Sequence, residues 1–242
     1  MARRGLLVVP VCVIAVCAVL AGCGGGGSSS GGSGGASTSS SNGEAKKPAK
    51  QIVADAKTAA RGAGSFRIKG SISSGGQTIA LNLLVGRAGG NGTMTFQGSK
   101  IDIIRTGKNV YLRTGAAFYR KIGAAKGAAS ALAGKWLKAS TSTKSFGDLA
   151  QFTDIDKLVE QALSPNGKVT KGAETTVDGQ KAIELKSKEG SLFVATEGAP
   201  YPVQLRGNKG TLSGAMHFSD FGAPVDTTAP QNAIDVAKLA NG

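Results

Sequence analysis

The distribution of apolar and polar positions changes character several times along the chain. Leu6 to Leu20 is an unbroken apolar run of 15 residues that contains Pro10. Gly24 to Gly43 then has neither a charge nor a large apolar side chain. From Pro48 a helical period sets in. Ile52, Val53, Ala56, Ala59 and Ala60 form one stripe, with Lys50, Asp55, Lys57 and Arg61 opposite it, until Gly62 and Gly64 stop the helix. Period two comes next. Phe66, Ile68 and Ile72 alternate with Arg67, Lys69, Ser71 and Ser73, and Gly75-Gly76 predicts a hairpin turn. The return strand, Thr78 to Val85, carries Ile79, Leu81, Leu83 and Val85 on one face. Asn91-Gly92 predicts the next turn. Strands are then expected over 93–97, 101–105, 109–113 and 118–121, a meander of about six.

The middle of the chain reads differently. Residues 124–137 are rich in Ala, Gly and Lys. Phe146, Leu149, Phe152, Ile155, Leu158, Val159 and Leu163 recur mostly three and four apart. This predicts one or two helices, broken near Thr153-Asp154, where Asp154 caps the second. Ser164-Pro165-Asn166-Gly167 ends them. Five more strands are expected over 169–177, 180–188, 191–196, 201–207 and 211–218, with Asp178-Gly179 and Glu189-Gly190 as turns. Residues 230–239 predict a short helix or capping turn. The order of one helix, six strands, helices and five strands is α+β. About eleven antiparallel strands are too many for a flat open sheet. A strongly curved sheet is expected, a half-barrel whose concave face the helices close.

The N-terminal region adds an address. Met1-Ala2-Arg3-Arg4 is a basic start, and the apolar run has signal-peptide length, short of the roughly 20 residues that span a bilayer. Leu20-Ala21-Gly22-Cys23 resembles the bacterial lipobox, in which cleavage precedes a lipid-modified cysteine. Residues 1–22 are thus expected to be a lipoprotein signal peptide and Cys23 the lipidation site, placing the protein on the extracytoplasmic side of the cell membrane. Residues 23–45 are expected to be the lipidated Cys and a Gly/Ser tether. Its 20 uncharged residues have a reach of roughly 25 Å as a random coil. Residues 46–242 form the domain.

Composition narrows the chemistry. After processing, Cys23 is the sole cysteine, so no disulfide is available. One His and so few Cys exclude a His/Cys zinc cluster, and no metal or cofactor is expected. Asp102, Asp148, Asp154, Asp156, Glu174 and Glu184 show no spacing that fixes a carboxylate pair, and His217 has no evident partners. The chain is therefore expected not to be an enzyme. Trp136, beside Lys135, reads as a helix-end core residue or an interfacial anchor. The mature chain retains 27 Lys and Arg against 15 Asp and Glu, a net +12 that suits anionic lipid. Nucleic acid is not expected, given export and the dispersal of the lysines.

A lipobox, a Gly/Ser tether and this element order together resemble the actinobacterial LppX/LprG-type lipoproteins, which belong with the LolA/LolB-like lipoprotein carriers. The tail His217-Phe218-Ser219-Asp220-Phe221-Gly222-Ala223-Pro224-Val225, then Thr228-Ala229-Pro230, is similar to that family's closing motif, and Ser65-Phe66-Arg67-Ile68 to its opening strand. The Gly/Ala-rich stretch 124–133 departs from the family. The resemblance implies a LolA-like half-barrel with an apolar cavity for acylated lipids or glycolipids, and envelope transport proteins as partners. Ile68, Leu81, Leu83, Met94, Phe96, Ile101 and Ile103 share a face by parity and are the candidate lining. They read equally as ordinary core under the helices. The alternative function is accordingly a structural or regulatory envelope lipoprotein with a filled core.

Overall fold

A computed structural model describes residues 40–239, apart from 75, 166 and 209–211. Cys23, the signal segment and the tether up to residue 39 lie outside the described residues. Helix α1 (Ala49–Gly62) starts after Pro48 and buries Ile52, Val53, Ala56 and Ala60. It is followed by β1 (Ser65–Ser74), β2 (Gln77–Gly86), β3 (Gly89–Phe96), β4 (Ser99–Thr106) and β5 (Asn109–Thr114), joined as successive antiparallel hairpins. Then come α2 (Ala116–Lys121), α3 (Lys126–Leu132), β6 (Trp136–Ser140), α4 (Lys144–Ala150), a 3₁₀ turn (Gln151–Thr153) and α5 (Ile155–Ala162). The second meander is β7 (Thr170–Val177), β8 (Gln180–Lys186), β9 (Gly190–Ala195), β10 (Pro202–Gly207) and β11 (Leu212–Ser219). The chain closes with β12 (Ile234–Asp235) and α6 (Val236–Leu239).

All twelve strands form one curved, unclosed sheet, ordered β12-β6-β5-β4-β3-β2-β1-β11-β10-β9-β8-β7. The β1–β11 pairing joins the two meanders, with Ile68 opposite Phe218. The sheet is mixed because β12 lies parallel to β6. One large core occupies the helix-covered face. It joins Ile52, Val53, Ala56 and Ala60 of α1 and Ile155, Leu158 and Val159 of α5 to Phe66, Ile68, Leu83, Val85, Ile101, Ile103 and Val194 of the sheet. Lys57 and Arg61 on α1 pair with Glu160 on α5, which holds the two covering helices together at the surface.

Four expectations need correction. Residues 118–121 are helical, the end of α2, because Tyr119 packs with Ala129 of α3 and Leu137 of β6. Trp136 lies in β6, where the Arg113 guanidinium sits 4.7 Å over its ring, and does not end a helix. Asn91-Gly92 lies inside β3, not in a turn. At Gly92, with φ +142°, a Cβ would sit 2.1 Å from the Asn82 carbonyl oxygen, so glycine is there for close strand approach. The sheet also has twelve strands, not eleven, since β6 and β12 enter and 118–121 leaves.

The domain's body begins before residue 46. Ser41 bridges Glu197, the Asn42 backbone N–H donates to the Thr196 carbonyl (2.9 Å), and its side-chain amide donates to Ala195 and Gly198. Glu44 is buried and pairs with Lys47 at 2.5 Å. The end of the uncharged stretch is thus docked on the domain. At the other terminus the tail sews up the ends of the strands. Gly222 N–H donates to Ser65 O, Ser65 Oγ donates to Ala223 O, and Asn91 Nδ2 donates to Asp226 O. Phe221 stacks on Tyr201 with centroids 4.0 Å apart and tilts against Phe66.

Candidate functional site

A cavity of about 550 Å³ lies between the covered face of the sheet and α2 and α4. Its floor is built by alternation. Ile79 on β2, Met94 and Phe96 on β3, Ile101 on β4, Leu112 and Thr114 on β5, and Leu137 on β6 all point to this side. The roof is Phe118, Tyr119 and Ile122 from α2 and its end, with Phe146, Leu149 and Phe152 from α4 and the 3₁₀ turn. Gln97, Lys121, Ile122 and Asp148 are exposed as well as lining, so they mark the mouth. Lys121 Nζ donates to the Gln97 carbonyl across it. Ile122, 65% exposed, is the large apolar side chain left in water there. The volume falls within the range of small-molecule pockets, about 300–1,000 Å³.

The chemistry of the lining is that of a solvent for hydrocarbon. Thr114 spends its hydroxyl on the Lys100 carbonyl at 2.8 Å. Tyr119 is 5% exposed and its hydroxyl has no partner among the described residues. Burial holds its ionisation above the ordinary 10, so it stays neutral. Nothing in the lining pairs two acids or sets a base beside a nucleophile.

Of the seven lining candidates, Met94, Phe96 and Ile101 border the cavity. Ile68, Leu81, Leu83 and Ile103 do not. They are buried in the core cluster that also holds the apolar side chains of α1 and α5. Sequence reasoning missed Ile79, Leu112, Thr114 and Leu137 on the floor, and the roof. Phe146, Leu149 and Phe152 did show their spacing of three. That pattern identifies a covering helix without saying whether it touches the sheet or stands off it.

Of the polar candidates Asp148 stands at the cavity mouth, and four others are engaged away from it. Asp102 pairs with Arg113 at 2.9 Å, and Glu184 accepts from Ser191 at 2.7 Å. Asp154 caps α5 by accepting from the Lys157 N–H at 3.1 Å. His217 faces out of the sheet, bonded to Asp178 and beside Gln204. Among the described residues no three His, Cys, Asp or Glu gather as a metal site, and no helix is long and apolar enough to cross a membrane.

No protein-family model matches this chain, and no curated protein matches it. Solved structures do. LprF of Mycobacterium bovis superposes with a TM-score of 0.52 at 15% identity, over 76% of this chain and 99% of that one. The fold is that of LprF. Lipoprotein LppX of Mycobacterium tuberculosis matches with a TM-score of 0.46 at 16% identity, over 74% of this chain and 99% of that one. In this LprF-type fold the curved sheet has a covered face that α1 and α5 share with a packed core, while α2 and α4 border the cavity.

Proposed function

We propose that this chain is a cell-envelope lipoprotein, anchored through Cys23, that binds the acyl chains of a lipid or glycolipid in the cavity and passes the lipid between membranes or partner proteins. One observation carries the reading: an apolar space of about 550 Å³ with an open mouth, lined by aliphatic and aromatic side chains. Empty apolar space of this size is costly unless something occupies it, and each buried CH₂ contributes about 0.8 kcal/mol. The lipobox supports the anchor, and the net +12 of the mature chain favours an anionic membrane surface. The LprF-type fold supports the reading too, since its curved sheet leaves a concave side to be lined.

Native mass spectrometry of the full chain, before and after organic-solvent extraction, tests the reading. A released acylated species, and rebinding of one long-chain acyl probe at a saturable site, are expected. A chain that carries no lipid and binds no probe overturns the proposal and favours a structural or regulatory lipoprotein with a filled core.

A further inference from the structure

A second recess, about 300 Å³, lies behind the same roof. Its walls are the β4–β5 turn, the start of α5 and the far side of α4. Arg105, Lys108 and Lys157 line it, and the one carboxylate in the lining is Asp154. That carboxylate is already committed as the cap of α5. The nearby acids are also taken. Asp156 lies 3.4 Å from Arg61, and Glu160 pairs with Lys57 and Arg61. Among the described residues no ion pair neutralises any of the three cations.

Arg105 is held rigid. Its Nη2 donates to the Thr153 carbonyl at 2.8 Å and its Nε to the Thr153 hydroxyl at 3.1 Å, while Nη1 reaches Gly107 O at 3.3 Å. These acceptors are neutral, so the guanidinium keeps its charge and a share of its donors. Lys108 and Lys157 are exposed and free to close on a ligand. A fixed arginine fork with two mobile ammonium groups is how proteins hold phosphate oxygens. Gln151 lines both this recess and the apolar cavity, so the two spaces lie beside the same turn.

We infer that this recess binds a phosphate group, and that the phosphate belongs to the lipid whose acyl chain occupies the main cavity. The inference rests on the acyl-chain reading of that cavity. An amphiphile would lay its chain along the apolar floor and turn its charged end past Gln151 towards Arg105, Lys108 and Lys157. The site then selects among lipids of equal chain length by charge, a selectivity that an aliphatic floor does not have.

The test uses the full chain and three probes: oleoyl lysophosphatidate, monooleoylglycerol with the same chain and no phosphate, and glycerol phosphate with no chain. Calorimetric titration is expected to show lysophosphatidate binding at least tenfold more tightly than monooleoylglycerol, with the gap narrowing at high salt. In the Lys108→Gln/Lys157→Gln double variant that gap should shrink at least threefold, to what Arg105 alone supplies, with monooleoylglycerol unchanged. Equal binding of both by the parent, or a preference undiminished in the double variant, overturns the inference and leaves the acyl reading standing. Failure of both acyl probes overturns the acyl reading itself. Glycerol phosphate binding to the parent but not to the double variant would then show a free-phosphate site and reject a lipid source.

Discussion

Two tryptophan substitutions distinguish a real void from close-packed core on the same covered face. Leu149, half-buried on α4, borders the cavity, whereas Leu83 is fully buried opposite Ile68 in the packed region. In Leu149→Trp the added ring has open space to enter. It would displace about four methylenes of a bound chain, worth about 3 kcal/mol at 0.8 kcal/mol each, so probe affinity should fall on the order of a hundredfold. Stability should change by less than about 0.5 kcal/mol. In Leu83→Trp no space is available, and overpacking should cost about 1–3 kcal/mol while acyl binding by the folded fraction stays near that of the parent. Urea unfolding and fluorescent fatty-acid titration on both variants give the two readouts. If Leu149→Trp loses stability as Leu83→Trp does and leaves probe affinity unaltered, the space under α4 is not a ligand cavity.

The clamp between α1 and α5 should be acid-sensitive. The Ser164 hydroxyl, then Lys57 and Arg61, draw the Glu160 carboxyl from 4.5 to about 2. With the folded value below the unfolded one, its contribution is full above about pH 4.5 and is lost as pH falls towards 2. The melting-temperature gap between the parent and Glu160→Gln should therefore be full at pH 7 and mostly lost by pH 2; a gap independent of pH would show that the charge is not responsible. Asn42→Ala removes the amide bonds to Ala195 and Gly198 and should cost about 1–2 kcal/mol in urea unfolding with an unchanged m value, and no loss would mean that the segment before residue 46 is not docked in solution. Cys23→Ala should abolish membrane retention after a carbonate wash, because stable anchoring takes at least two acyl chains at about 0.8 kcal/mol per buried CH₂; a processed variant that still sediments with membranes refutes the lipobox reading.

Period and turn chemistry determined most of the architecture. Alternation at Ile79, Leu81, Leu83 and Val85, the Asp178-Gly179 turn and the Asp154 cap depend on neighbours a few residues away, so they are legible in one dimension. Strand number dictated curvature, and curvature dictated a covered face. Local pattern failed where long-range partners decide. Residues 118–121 follow at hairpin spacing like a strand but coil because α3 and β6 offer Tyr119 an apolar seat. The two-residue β12 exists only because β6 presents an open edge to it. Ser41 and Asn42 look like tether until Thr196 and Glu197 offer hydrogen bonds to them.

The site divides in the same way. Parity placed Ile68, Leu83, Met94 and Ile101 on one face, and the sequence can say no more than that. Only tertiary structure decided that the first two lie wholly in packed core while the other two, in the same core, also border the cavity. Whether a buried leucine touches a helix or borders a void is set by the height at which that helix docks. That height depends on side chains from opposite ends of the chain, which no local pattern records.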